Sequence, residues 1–231
     1  RQHHASQRRA PQHGEASGRV QGEAEEWTRC RRCKLRRSGT DAKRHTRSGG
    51  GKTVPSTFAT GYRYAAMGYT TAFDAAVPPM AARHAHEEFM DTPVIDKGFF
   101  VLMGNNEFIM QQIAAGEREK MRHYVAWLLQ ATKGYGVKLV NPGGVELWKF
   151  LGNAHGLDDE VTGFNVTPRR IIQELAEVSM ELRLPHAVHI HCNNLGVAGN
   201  WETTFETMRT LDGRNGHFAH IQFHSYGGRP G

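Results

Sequence analysis

The chain has 231 residues, is 39% hydrophobic with a mean hydropathy of −0.57, and carries a net charge of +6 with a pI near 9.4. That length suits one substantial core, or most of a barrel of roughly 250 residues. No apolar run approaches the roughly 18 residues of a membrane helix, no basic start with an apolar stretch marks a signal peptide, and three cysteines argue against a disulfide framework and for a reducing, cytoplasmic setting.

The excess positive charge is confined to the opening. Residues 1–50 hold 13 Lys and Arg against 5 Asp and Glu, whereas residues 51–231 hold 16 against 18. The larger part therefore offers no footprint for a phosphate backbone, and neither nucleic acid nor a membrane is expected as a partner. The opening stretch has Trp27 as its one aromatic, and Val20 and Leu35 as its only branched aliphatic residues. Such a segment cannot bury enough surface to offset its ordering entropy. Three readings compete for residues 1–45: a disordered basic arm that touches nucleic acid, a zinc knuckle through Cys30 and Cys33, or no evolved structure at all, as a reading-frame error would produce. A lone CxxC supplies two ligands where a structural zinc site wants four. The lack of any apolar periodicity favours the frame error.

From Thr46 onward the composition is that of a folded enzyme. Residues 56–67 read as a helix with Ser56 as N-cap and Gly68 as its stop. "YTTAFDAAV" (69–77) reads as a buried strand halted by Pro78 and Pro79. "AARHAHEEFM" follows as a helix, "GFFVLMGN" (98–105) as a strand, and "REKMRHYVAWLLQATK" as an amphipathic helix. "GVKLVN" (136–141) is the next strand. "TPRRIIQELAEVSMELRL" opens with Thr167 as N-cap and Pro168 at the first helical position. "HAVHIHC" is a strand, "NWETTFETMRTL" a helix, and "HFAHIQFHS" a strand. Alternating strands and helices mean a parallel sheet with crossover helices, either doubly wound or of TIM type. No phosphate-binding glycine loop follows the first strand, which lowers the nucleotide-binding option.

Polar residues gather at the C-terminal ends of successive strands, where barrels build active sites. Lys138 stands inside the strand "GVKLVN", and burying an unpaired ammonium there is strongly unfavourable. It is an ion-paired structural lysine, a Schiff-base lysine, or a lysine carbamylated by CO2. His189 and His191 are two apart in "VHIHCNNLG", so an extended strand points both to one face. His220 and His224 in "HIQFHSYGG" are four apart and share a face on the same reasoning. The HxH of His84 and His86 lies in a helical segment, where such a spacing shares no face. "LDDEV" (157–161) reads as a surface loop.

Lysine on one strand, histidine on the next and histidine on the one after is the ligand order of binuclear-metal amidohydrolase barrels. The phrases "STFATGYRYAAMGYTT", "VPPMAARHAHEEF", "ATKGYGVKLVNPGG", "HIHCNNLG" and "FHSYGG" closely resemble the A-type subunit of formylmethanofuran dehydrogenase and the matching subunit of the bacterial formyltransferase/hydrolase complex. The resemblance runs from about Thr46 to Gly231. It implies an incomplete TIM-type (β/α)8 barrel of the metal-dependent amidohydrolase kind over residues 46–231, about strands two to six, preceded by a disordered or non-native segment. It also implies a hydrolase or transferase of one-carbon metabolism that converts the formamide of a methanofuran-type carrier to formate, or the reverse. The phrase "VLMGNNEFIMQQIAAGE" inclines the reading toward the bacterial complex.

The resemblance further implies two zinc ions bridged by carbamylated Lys138, with His191 and His224 as further ligands. Lys138 and Asn193 are then the catalytic residues, and Asn141, His189 and His220 line the substrate or steady the ligands. His189 is the less favoured ligand on its strand. The implied partners are the other subunits of the complex and the formyl carrier. The family's N-terminal HxH pair has no counterpart in residues 1–45, where "QHHAS" is nearest, and its last aspartate falls beyond Gly231, so half of the metal ligands are expected here. The competing function is a metal-free scaffold that only docks partner subunits.

Overall fold

Strand and helix alternate through residues 57–145 and 156–229, the residues that the computed structural model describes. The order is α1 (Thr57–Ala66), β1 (Thr71–Val77), a 3-10 turn (Pro79–Ala81), α2 (Ala82–Met90), β2 (Asp96–Leu102), α3 (Glu107–Ala115), α4 (Arg118–Thr132), β3 (Gly136–Val140), α5 (Pro168–Glu181), β4 (Val188–His191), α6 (Trp201–Leu211), β5 (Gly216–Phe218) and a 3-10 turn (Ile221–His224). The basic opening, its CxxC, the proposed boundary at residue 45 and the Ser56 cap all lie outside the described residues.

The described residues divide into two compact units, one of residues 74–80, 98–145 and 156–229, the other of residues 57–73 and 81–97. In the second, Asp96 N donates to Thr70 O at 2.8 Å, and Gly61 lies so close to the Pro93 carbonyl that a Cβ would collide with it. The first unit carries Lys138 and the histidines of the candidate site.

The strands lie in the sheet in chain order, β1-β2-β3-β4-β5, and the pairs from β2 to β5 are parallel. Crossovers between parallel strands are right-handed as a rule, so steps in one direction leave their helices on one face. A doubly wound sheet would reverse at a switch point, and none occurs among the described residues. This strand order is consistent with part of a barrel wall, and α5 packs on β3 and β4. Strand alternation sorts the side chains accordingly. Val137 and Leu139 of β3 and Val188 and Ile190 of β4 are fully buried among apolar residues, together with Ile171, Ile172, Leu175 and Val178 of α5. Burying each such side chain contributes about 1.5–3 kcal/mol. The alternate residues, Lys138 on β3 with His189 and His191 on β4, point to the opposite face.

The helix starts follow their sequence signals. Thr167 caps α5, its Oγ1 accepting from Arg170 N at 3.3 Å, and Pro168 takes the first position. Helix α3 is an element that the sequence reading does not contain. Asn106 caps it by accepting from Ile109 N at 3.1 Å, and Gly116 ends it with φ 71°.

The expected strand over 217–225 is corrected. Strand β5 ends at Phe218, His220 turns left-handed at φ 34° and ψ 50°, and the next residues form a 3-10 turn closed by Phe223 N donating to His220 O at 3.0 Å. A left-handed residue cannot continue a pleat, so the two histidines do not share a strand face. The strand expected to reach residue 105 likewise stops at Leu102, and the strand over 186–192 is confined to Val188–His191.

Candidate metal centre

Lys138 is set in the middle of β3, with Leu102 of β2 and His189 of β4 as its neighbours in register. It is 2% exposed, and its Nζ lies 2.6 Å from His189 Nδ1. An imidazole, not a carboxylate, is its hydrogen-bond partner, which removes the support for an ion-paired structural lysine. Burial pushes the amine down to about 7, opposed by the Cys192 thiol nearby. A large part of this lysine is therefore a neutral amine at neutral pH, the form that can attack a carbonyl or CO2.

Two residue pairs further along the strands, Val140 faces His191 in register. His191 ends β4, His220 occupies the left-handed turn after β5, and His224 ends the 3-10 turn. Their ring centroids are 4.6 Å (His191–His220), 5.0 Å (His191–His224) and 5.1 Å (His220–His224) apart. One nitrogen from each ring lies within 4.8 Å of the others. The turn that breaks the expected strand thus folds His224 back onto the same point, and brings His220 with it.

His224 is completely buried, and neither ring nitrogen has a hydrogen-bond partner among the described residues. Burial pushes its pKa down to about 4, with the charges of His220 and Lys138 acting in the same direction. The ring is neutral at pH 7, with a lone pair on offer. Leaving a buried polar atom unpaired costs about 1–3 kcal/mol, so an unpartnered imidazole among two others argues for ligation. Three imidazoles and a lysine whose burial favours the neutral amine suit zinc, a borderline-soft ion that takes nitrogen and oxygen donors. The residues fit the group.

Buried amide oxygens also follow the strand ends. Asn193 follows β4, is 1% exposed, and its Nδ2 donates to Pro142 O at 3.2 Å. Asn105 follows β2 and donates to Val140 O at 2.7 Å. Those carbonyls fix which way each amide points. The Oδ1 atoms of Asn105, Asn141 and Asn193 are buried without a donor. Asn141 is held left-handed at φ 43° and sits against Gly144, where a Cβ would collide with its amide. Sequence reasoning misses Asn105, although its place just past an apolar strand is the signal that marks Asn141 and Asn193.

Two other clusters fall away. His84 reaches toward Glu87 and His86 packs edge-on against Phe89, both on α2. In "LDDEV", Asp158 pairs with Arg169 at 2.6 Å and Asp159 accepts from Gly156 N at 2.7 Å, while Leu157 and Val161 anchor the loop in the core.

A parallel α/β sheet with a lysine inside one strand and histidines at and after the next two is the arrangement expected of an amidohydrolase, and the amidohydrolase family model matches residues 4–227. The chain belongs to that family. It is 51% identical over 198 residues to Protein FwdA of Methanocaldococcus jannaschii, covering 81% of this chain and 35% of that protein. It is 38% identical over 168 residues to the A component of the formyltransferase/hydrolase complex Fhc of Methylorubrum extorquens, covering 72% and 31%. The crystal structure of that bacterium's complex FhcABCD with methylofuran superposes with a TM-score of 0.70 at 38% identity, over 72% of this chain and 31% of that one. The chain thus spans about a third of the length of the relatives it matches. Identity is higher to the archaeal relative than to the bacterial one, against the inclination drawn from "VLMGNNEFIMQQIAAGE".

Proposed function

We propose that the protein containing this chain is a zinc-dependent hydrolase or transferase component that works on the formamide of a methanofuran-type carrier. In the hydrolytic direction the formamide and water give the carrier's amine and formate; synthesis is the reverse. The observation that carries this reading is the convergence of His191, His220 and His224 beside buried Lys138. Kinship with FwdA and with a protein crystallised in complex with methylofuran supports the substrate class.

In this reading Lys138, as its carbamate, and His191 and His224 hold two ions, and His220 joins them from the same cluster. Bound zinc supplies Lewis acidity and lowers the pKa of water toward neutrality. The chain's own residues do the rest. Neutral Lys138 is able to take up CO2, and buried His224 stays unprotonated at working pH. The Oδ1 atoms of Asn193 and Asn141 accept hydrogen bonds from water or from the formamide N–H, and Asn193 is held in place by Pro142 O. The partners are the other subunits of a complex like FhcABCD, in the cytoplasm; among the described residues no helix is long and apolar enough to cross a membrane.

The test is metal analysis of the full-length protein together with N-formyl hydrolysis. Stoichiometric zinc, and loss of hydrolysis in Lys138→Ala, are expected. A wild type without zinc would reduce the protein to a scaffold, and full activity of Lys138→Ala would remove the assignment.

A further inference from the structure

Behind the metal cluster the sheet carries a second set of imidazoles that the proposed reaction leaves unused. Lys138 and His189 stand opposite each other on β3 and β4, 2% and 4% exposed, with Nζ 2.6 Å from Nδ1. A neutral amine can donate or accept in that hydrogen bond, but a carbamate nitrogen has one N–H and a lone pair given over to resonance, so in the carbamylated state Nζ donates and Nδ1 accepts.

The neighbours of His189 show how its ring is held. His186 Nδ1 lies 2.6 Å from the Ala187 carbonyl and donates to it. In a neutral ring its Nε2 is then an acceptor, and His217 Nδ1, 3.2 Å away, donates to that nitrogen. The His217 ring is 4.5 Å from the His189 ring, and the Phe100 ring is 4.9 Å from it. His189 is thus buried and packed between the Phe100 and His217 rings with its Nδ1 on Lys138.

Carbamylation makes this bond selective. The amine attacks CO2, a C–N bond forms, and the nitrogen releases one of its protons to solvent and keeps one N–H. The carbamate is planar by the same resonance as a peptide unit. The direction of its single N–H therefore sets the plane of its two oxygens.

We propose that His189 is a positioning residue whose Nδ1 accepts the one N–H remaining on carbamylated Lys138, and so fixes the carbamate in the rotation that bridging two ions requires. The proposal rests on the zinc reading above and adds to it a residue that touches neither metal nor substrate.

The test uses the full-length protein and two variants. In His189→Asn the side-chain oxygen takes the place of Nδ1 and keeps the acceptor; His189→Leu removes it. The readouts are zinc per protein, the 13C carbamate signal in labelled bicarbonate, and thermal stability. Wild type and His189→Asn are expected to hold carbamate and zinc alike. His189→Leu is expected to need about 10–100-fold more bicarbonate or zinc for half-occupancy, the usual cost of losing a partner that supports a metal ligand. Wild-type occupancy in His189→Leu overturns the proposal and leaves the zinc reading intact. Equal losses in both variants, in step with lost stability, also overturn it and make His189 a packing residue. A wild type with neither carbamate nor zinc overturns both readings together.

Discussion

His191 and His224 meet edge-on, ring centroids 5.0 Å apart, although α6 and β5 separate them in the chain. The contact exists because the turn at His220 folds the chain back over the end of β4. Replacing His224 with alanine removes a buried ring with two unpartnered nitrogens, so the loss of packing is offset by relief of those atoms. We expect His224→Ala to change thermal stability little. Zinc affinity should fall by more than the roughly 10–100-fold that a supporting partner is worth. His191→Ala and His220→Ala should behave alike; full zinc content in any one of them takes that residue out of the ligand set.

The pH dependence of stability has a defined sign. Lys138 titrates near 7 in the folded zinc-free protein against an ordinary value of 10.5. Between those values the unfolded chain binds the extra proton, so stability rises with pH, by at most about 1.4 kcal/mol per unit. Cys192 opposes this higher up: burial pushes its thiol from 9.0 to about 11, so its contribution is lost as pH rises through that range. On the acid side, His224 at about 4 against 6.5 costs stability as pH falls through that interval. Urea midpoints of apo-protein should therefore climb from pH 7 to 9, and Lys138→Met should flatten that climb. A flat wild-type profile would mean that the ammonium is accommodated.

The elements are legible where one force dominates. Strand β3 and helix α5 follow from apolar alternation, a capping Thr167 and Pro168, all local signals. Strand β5 reads too long from sequence because Ile221 and Phe223 are strand formers, yet they are 41% and 36% exposed in a 3-10 turn. Tertiary closure of His224 onto His191 overrides that preference, and no local pattern encodes it. The same blind spot sets His220 apart from His224 as a ligand, since the grouping arises only after the left-handed turn. Spacing alone places His189 one layer deeper than His191, and its register with Lys138 agrees. Its hydrogen bond cannot be read from spacing, because the two residues meet across strands.

The amide at 193 separates positioning from stability. Asn193→Ala leaves Pro142 O without its donor, at a cost of about 1 kcal/mol. It also deletes an acceptor oxygen that has no partner among the described residues. If that oxygen orients water or formamide, kcat should drop about 10–100-fold while zinc content stays at the wild-type level. Loss of zinc alongside activity would instead place Asn193 among the groups that hold the metal ligands.

A last pair of variants isolates the fold from the site. Gly134 joins α4 to β3, and a Cβ there would run into Val101 and lie 3.3 Å from Phe99, both buried. Neither side chain has space to retreat, since each is packed on the helix-covered side of the sheet. Gly134→Ala should cost about 1–3 kcal/mol, the range for overpacking, which at this size is about 2–4 °C of Tm for each kcal/mol. Gly227→Ala, with nothing within 4 Å of the added carbon, should stay within about 0.5 kcal/mol of wild type. Because Gly134 lies at the N-terminal end of β3 and the histidine cluster at the C-terminal ends of the strands, zinc content should be unchanged in both. A Gly134→Ala protein that melts like wild type would show that the α4–β3 junction yields where the packing says it cannot.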